Sequence, residues 1–374
     1  MQQKPERKNA QDPANTKDPI NQSNLDSNKE ENKKKKIYLV TGPSSGIGIE
    51  VIKTLTQNKN NTVRVLMRAK PQIQMSESWK RLPRGVIPYV ADITLKNEED
   101  KKSLEEACKD VEVIIHLASI KPSTKIKYDE FVNINVVGTE NILKTWLSVN
   151  SDNNIGLKFI YLSSTAVYGN NRKGEIITED SELDPSNSYG ASKMMGEEVI
   201  KAFSISNPRI NFTILRSATI YGEHYEESFF KVFKLLVEDK MRFIGSGNNH
   251  MTLIHIRDLV NAINLAITNP NSKNKIYNVT DGNEYTQRFL VHKAAQYLNV
   301  KPPTKSVNAT LAKVVASMFN LDREEIAFFT SERIIDISKI KNELNFIPKE
   351  DLDSATKELV DEFLRKNKRY VKVD

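Results

Sequence analysis

Tyr189 and Lys193 stand four residues apart in Tyr189-Gly190-Ala191-Ser192-Lys193, a spacing that puts both side chains on one face of a helix. An ammonium beside a phenol favours the phenolate and lowers the tyrosine pKa, so the pair makes a general acid/base. Upstream, the apolar run Phe159-Ile160-Tyr161-Leu162 ends in Ser163-Ser164, where a hydroxyl can bond a substrate oxygen and steady the charge that develops on it. Ser163 and Thr165 compete with Ser164 for that duty, and capping of the strand end is the non-catalytic alternative. A second Tyr-x-x-x-Lys, Tyr297 to Lys301, runs into Pro302-Pro303 with neither a glycine turn nor a serine-bearing strand beside it, and is read as chance.

The other constellation is Thr41-Gly42-Pro43-Ser44-Ser45-Gly46-Ile47-Gly48, between an apolar run of strand length and a stretch of helical periodicity. Glycines belong there if the turn is tight, the backbone approaches a pyrophosphate and the helix lies close to the strand. The helix N-terminus then offers free N–H groups and a positive dipole end to the phosphates. Cofactor choice is decided at the end of the second strand, where an acid would bond ribose hydroxyls and an arginine would accept a phosphate. That end reads Val65-Leu66-Met67-Arg68, which favours NADP over NAD, with Arg68 as the phosphate contact. Adenine stacking or plain solvation would place the same arginine equally well.

These residues need a scaffold that brings strand ends and helix starts together. Ile37–Val40, Thr62–Met67, Val86–Val90, Val113–Ile115 and Phe159–Leu162 read as buried strands, and Ile47–Leu55, the stretch around Leu104 and Ala107, and the long span Tyr128–Val149 as helices. Buried strands alternating with helices predict an α/β fold, a doubly wound parallel sheet of the Rossmann type, whose ligand crevice lies at the carboxyl ends of the strands. Beyond Ile214-Leu215 the pattern loosens. Helices at Phe229–Leu236 and Leu259–Ile267, a turn at Gly245–Asn248 and a short strand at Ile276–Val279 predict a smaller C-terminal substrate lobe over the crevice. The expected division is a disordered polar tail over 1–35, a dinucleotide-binding domain over 36–216 that carries the catalytic residues, and a mainly substrate-binding lobe over 217–374 with some segments returning to the Rossmann core.

With 374 residues, 28% of them charged and 39% hydrophobic, the chain can bury a full core. The formal charge of +7 comes from lysines scattered among acids, which argues against a nucleic-acid groove. Lys33–Lys36 is read as a solvated tail end. The single cysteine, Cys108, allows no internal disulfide and is read as a small buried side chain. No apolar leader and no stretch of roughly twenty apolar residues is present, so the expectation is a cytoplasmic protein with a small-molecule substrate, no membrane partner, no nucleic acid and no metal.

Taken in order, the motifs resemble those of the extended short-chain dehydrogenase/reductases, the NAD-dependent epimerase/dehydratase family. The resemblance spans Lys36 to about Asp353. Val40-Thr41-Gly42 opens it, Ala91-Asp92-Ile93 is similar to the adenine-contacting segment, His116-Leu117-Ala118-Ser119 to the segment under the cofactor, and Asn135 with Gly138-Thr139 to the central helix. Leu162 to Gly169 matches the serine strand, with Ser164 in the catalytic position; Tyr189 and Lys193 match the base and its partner, the lysine also holding the nicotinamide ribose. Leu215-Arg216 with Tyr221-Gly222, and His255 to Leu259, are similar to the segments that lead into and return from the substrate lobe. The resemblance implies cofactor contacts at Gly42, Ser44, Ser45, Gly46, Ile47, Gly48, Arg68, Asp92, Ile93, Leu117, Ala118, Ser119, Asn135, Tyr189 and Lys193, substrate contacts at Ser164, Thr165, Thr219 and Arg257, and a homodimer.

Three features depart from the family pattern. The glycine spacing is that of its single-domain relatives. Thr165-Ala166 follows Ser164 where sugar-nucleotide dehydratases carry an acidic pair, which argues against water elimination. Thr219 stands where many sugar-nucleotide epimerases place an asparagine. The expected function is an NAD(P)-dependent epimerase or ketoreductase of a nucleotide-sugar-like substrate. The alternatives are an NADPH-dependent reductase of a bulky steroid- or polyphenol-like alcohol, and a cofactor-sensing module without turnover, against which the intact Ser164, Tyr189 and Lys193 argue.

Overall fold

The computed structural model describes residues 35–68, 80–120, 125–151, 156–308 and 330–370. The polar tail expected to be disordered lies outside them, apart from Lys35. Seven parallel strands form the central sheet, β1 (Lys36–Thr41), β2 (Asn61–Met67), β3 (Ile87–Val90), β4 (Val113–His116), β5 (Leu157–Ser164), β7 (Ile210–Ser217) and β12 (Lys275–Val279), in the spatial order β12-β7-β5-β4-β1-β2-β3. Their middle residues are apolar on both faces because helices cover both: Leu39 and Val40 in β1, Ile114 and Ile115 in β4, and Phe159 and Ile160 in β5 are all buried. The chain reverses its direction of travel across the sheet between β1 and β4, the switch point at whose carboxyl ends such a sheet places its ligand crevice.

Two helices approach this crevice. The first, Gly46–Gln57, follows β1 through the glycine turn and buries Ile47, Ile49, Val51, Ile52 and Leu55. The second, Ser188–Ser206, begins at Asn187, whose side chain accepts from Gly190 N, and carries Tyr189 and Lys193. It lies unusually close to the sheet. A Cβ at Gly190 would stand 2.5 Å from the Ala166 carbonyl oxygen, and one at Gly196 would collide with Tyr161 Oη and come within 3.0 Å of the Asn135 carbonyl oxygen. The span expected to be one helix, Tyr128–Val149, is interrupted. Helix Tyr128–Val132 passes through a π-helical turn, Asn133–Val137, before Gly138–Val149, and Gly138 N reaches back to the Asn133 carbonyl. That extra residue turns Asn135 inwards, where it is 1% exposed.

The C-terminal segments divide between two cores. Helices Glu227–Val237, Gln287–Tyr297 and Leu352–Lys366 enclose a core of their own around Phe233, Phe243, Leu290, Val291, Leu359 and Phe363. The strand and helix expected to join them instead return to the Rossmann core: β12 pairs with β7, and helix Ile256–Thr268 packs Leu259, Ala262, Ile263 and Ala266 against the face that also holds the first helix. Pairing partners far apart in sequence decided this, and local periodicity carries no trace of them.

Short strand pairs complete the lobe: β6 (Asn171–Ile177) with β15 (Glu332–Ile335), β8 (Thr219–Tyr221) with β11 (Leu253–His255), β9 (Phe243–Ile244) with β14 (Ser306–Val307), and β10 (His250–Met251) with β13 (Tyr285–Thr286). Cys108 is fully buried, and burial pushes its thiol pKa up, as a small core side chain requires. Among the described residues no helix is long and apolar enough to cross a membrane.

Candidate active site

Strand alternation decides between the three hydroxyls at the end of β5. Ser163 points inwards, 2% exposed, and donates to Glu197 Oε1 at 2.5 Å. Thr165 is equally buried, whereas Ser164 is half-buried, accepts from Ala166 N at 3.1 Å, and stands close enough to Tyr189 for its hydroxyl to favour the ionised phenol. Phe131 packs edge-on against the Tyr189 ring, with 6.4 Å between centroids. The structure thus joins Ser164 to Tyr189, with Lys193 one helical turn further on.

The expected lowering of the Tyr189 pKa is not found in the protein alone. Burial pushes the phenol up to about 12, against the opposing pull of the Ser164 hydrogen bond. The physical reason is that Lys193 shares the burial. It is 2% exposed, and desolvation brings its ammonium down to about 7 against an opposing pull from Glu197. A lysine so close to neutral at working pH gives the phenol little positive field. Its Nζ sits 4.2 Å above the Tyr161 ring. Behind that ring lies His116, held by Thr41 Oγ1 at 2.7 Å and Thr139 Oγ1 at 2.9 Å, with a pKa brought down to about 3 by burial and by Lys193.

A buried ion pair ties the helix Ser188–Ser206 to the sheet. Arg216 of β7 donates from Nη2 to Glu197 Oε2 at 2.7 Å and from Nε to both carboxylate oxygens at 3.0 and 3.2 Å. Its Nη1 donates to Tyr168 Oη at 2.7 Å, and that hydroxyl donates to Asn278 Oδ1 of β12 at 2.7 Å. Sequence reasoning passed over Glu197; its signal was a carboxylate one turn beyond Lys193 on the same helix, facing an arginine near the carboxyl end of a mostly apolar strand.

The glycine turn has the geometry its sequence requires. Gly42 takes φ +70°, and a Cβ on it would come within 2.8 Å of Ala118 N and 2.9 Å of the Leu117 carbonyl carbon, so Leu117-Ala118 lies directly against the turn. Ala118 N also donates to Thr41 Oγ1 at 3.1 Å. Ser45 caps the helix, accepting from Gly48 N at 3.1 Å and donating to Gly42 O at 2.8 Å, and Ser44 is exposed. A loop absent from the sequence expectations covers the turn. Tyr225 Oη accepts from Ile47 N at 3.2 Å, and a Cβ on Gly46 would strike His224 and Tyr225. The ligand atoms of Glu50, Glu223 and His224 lie within 4.8 Å of one another, but Lys53 at 2.7 Å from Glu50 and Arg81 at 3.2 Å from His224 already occupy that cluster with cations and donors.

The remaining expected contacts fall into two groups. Asp92 stays near the crevice: burial raises its pKa, but the bonds from Thr94 and the ion pair with Lys96 at 3.1 Å outweigh it and leave the carboxyl below its usual range. Ile93 packs onto Gly138, which has no room for a side chain. Arg68 is exposed just beyond β2, with no hydrogen bond or ion pair to it among the described residues. Asn135 differs from its expected cofactor contact. Its Oδ1 accepts from Ser119 Oγ at 3.0 Å and Ile120 N at 3.2 Å while Nδ2 donates to Ser192 Oγ at 2.9 Å, so it ties the loop after β4 to the catalytic helix. Thr219 is exposed at the start of β8. Arg257 meets Glu350 at 3.0 Å and Glu358 at 3.5 Å at the surface, rather than the Ser164 group. Tyr297 ends its helix and donates to Asp353, which leaves Lys301 beyond the helix and off its face.

The model of the NAD dependent epimerase/dehydratase family matches residues 38–280. Among characterised relatives, the Escherichia coli O157:H7 N-acetyl-alpha-D-glucosaminyl-diphospho-ditrans,octacis-undecaprenol 4-epimerase is 26% identical over 65% of this chain and 72% of its own. The UDP-glucose 4-epimerase of Vibrio cholerae is 25% identical over 89% of this chain and 97% of its own. A solved structure, the UDP-glucuronic acid 4-epimerase of Bacillus cereus in complex with NAD, superposes with a TM-score of 0.70 at 20% identity, covering 90% of this chain and all of that one, a likeness in fold.

Proposed function

The chain belongs to the NAD dependent epimerase/dehydratase family, and from that premise we propose that it is a nicotinamide-dependent enzyme that epimerises, or reduces, a hydroxyl or keto carbon of a nucleotide sugar. The observation that carries the proposal is the placement of Ser164, at the end of β5, beside Tyr189, with Lys193 one turn on, at the end of the sheet that bears the glycine turn. Tyr189 Oη takes the proton of the substrate hydroxyl while Ser164 Oγ bonds the same oxygen, and Tyr189 returns the proton when the carbonyl is reduced. Lys193, buried one turn on, adds positive charge to the phenol when it is protonated, a form that Glu197 favours. A nicotinamide dinucleotide, when bound, supplies the acceptor and donor of the hydride.

The donor set fits such a cofactor. Gly42 has no room for a side chain against Leu117-Ala118, and the first helix begins at the turn, where the Tyr225 hydroxyl that now takes Ile47 N would give way to a pyrophosphate. Two relatives are named for epimerisation at carbon 4, which supports an epimerase ahead of a reductase. Arg68, with no acid beside it, supports acceptance of a 2′-phosphate and hence NADP, and it keeps an NADPH-dependent reductase of a bulky non-sugar alcohol as the second reading. Residues 36–216 with the returning β12 and helix Ile256–Thr268 serve the cofactor, most of 217–374 serves the substrate, and a cytoplasmic homodimer completes the proposal.

The test is incubation with either 4-epimer of a UDP-hexose, without added cofactor, after the nucleotide retained on purification has been identified. Interconversion at one carbon with no net cofactor consumption is expected. Consumption of NADPH in step with product would make the enzyme a reductase.

A further inference from the structure

Arg333, on β15, is 6% exposed, yet among the described residues no carboxylate pairs with it. The contrast is Arg216, equally buried and held by Glu197 at 2.7 Å. Arg333 Nη1 donates to the Thr165 carbonyl at 3.0 Å and, more weakly, to that of Gly169 at 3.4 Å. Its Nε is enclosed and has no acceptor, and no described residue accepts from Nη2, which is not among the enclosed atoms. Burial brings the guanidinium pKa down to about 10, so the group still carries its charge at neutral pH. A cation taken out of water with only carbonyl dipoles for company is costly unless a counter-charge joins it. This one stands against the residue that follows Ser164, at the reacting end of the crevice and away from the glycine turn.

Resting on the nucleotide-sugar reading above, we propose that Arg333 is a specificity-determining residue that recognises a carboxylate on the reacting sugar, so that the preferred substrate is a nucleotide-linked uronic acid rather than its neutral hexose counterpart. Position supports a charge on the sugar over the diphosphate, because Arg333 touches the segment that carries Ser164 and not the segments that frame the dinucleotide turn. Chemistry supports a carboxylate: with Nη1 committed to two carbonyls and Nε enclosed, the donor left for a ligand is Nη2, and a charge-assisted bond from it suits an acid group better than a hydroxymethyl. Arg333 leaves its β15 neighbour Glu332 to His250, at 2.6 Å, so the nearest acid in sequence does not neutralise it.

The experiment compares 4-epimerisation of UDP-glucuronic acid with that of UDP-glucose, in the wild type, Arg333→Met and Arg333→Lys, together with the melting temperature and cofactor uptake of each protein. The wild type is expected to prefer the acid by about tenfold or more in kcat/KM, the Met variant to lose at least about tenfold more on the acid than on the neutral sugar, and the Lys variant to fall between. An unchanged ratio in Arg333→Met overturns the proposal. If the Met variant fails to fold, thermal stabilisation of the wild type by the two sugar nucleotides decides: a larger shift with UDP-glucuronic acid supports the assignment, and an equal or smaller one overturns it. A wild type that binds nicotinamide dinucleotide and epimerises UDP-glucose preferentially overturns this inference alone. One that binds no dinucleotide and turns over neither sugar overturns the enzymatic reading and this inference with it.

Discussion

Replacing Glu197 by glutamine tests whether a buried charge pair holds the catalytic helix to the sheet. The substitution keeps the shape but removes the counter-charge of Arg216, whose side chain is 3% exposed against 0% for Glu197. Breaking a buried pair by removing one partner costs about 3–5 kcal/mol, because the remaining charge is stranded. For a body of this size that corresponds to a fall in melting temperature of about 10 °C. Removing both charges in Glu197→Leu/Arg216→Met should cost much less than the single change, because desolvation of the two ions disappears with their attraction. Thermal unfolding followed by circular dichroism reads the wild type and both variants. Glu197→Gln also withdraws the pull that raises the Lys193 pKa, so any pH–rate limb set by Lys193 should move to lower pH. A single variant within about 1 kcal/mol of wild type, or a double variant as damaged as the single one, would refute the reasoning.

Other consequences follow from individual groups. Asp281 is 5% exposed, its Oδ2 has no partner, and burial raises its carboxyl to about 7. The folded state therefore holds a proton between about pH 4 and 7 that the unfolded state has lost, and wild-type stability falls as pH rises through that window. Asp281→Asn should match wild type near pH 4 and exceed it at pH 8 by up to about 4 kcal/mol; melting curves that stay parallel at both pH values would contradict this. If Arg68 grips a ribose phosphate, Arg68→Ala should weaken NADPH by about ten- to a hundredfold and leave NADH almost unchanged. Equal weakening of the two dissociation constants would remove the NADP assignment.

Much of the fold was legible because parallel strands covered on both faces read as unbroken apolar runs, and β1, β2, β4 and β5 lie within a residue or two of where those runs sit. The catalytic pair was legible for a similar reason: the spacing of Tyr189 and Lys193 has meaning only on a helix. What stayed hidden depends on contacts distant in sequence. The π turn at Asn133–Val137 leaves helical periodicity nearly intact, yet it is what turns Asn135 towards Ser119 and Ser192. Tyr225 covers Ile47 across 178 residues, and Arg333 reaches Thr165 across 168. The choice of Ser164 over Ser163 needed the strand's facing direction as well as its location, which Glu197 fixed by taking Ser163. Tyr189 stands beside Ser164 with Lys193 one turn on, but its pKa is raised where the spacing predicted a lowering, because burial is a property of the surroundings that residue spacing does not report.

The most direct measurement compares wild type with Tyr189→Phe in the interconversion of UDP-hexose 4-epimers, with the amount of bound nicotinamide nucleotide determined on the same samples. The phenylalanine keeps the ring against Phe131 and loses only the hydroxyl. Turnover should fall by about a hundredfold or more, the range expected for a general acid/base, while the bound nucleotide stays at the wild-type level. A variant that still interconverts the epimers at close to the wild-type rate would contradict the assignment of Tyr189 as the group that moves the proton.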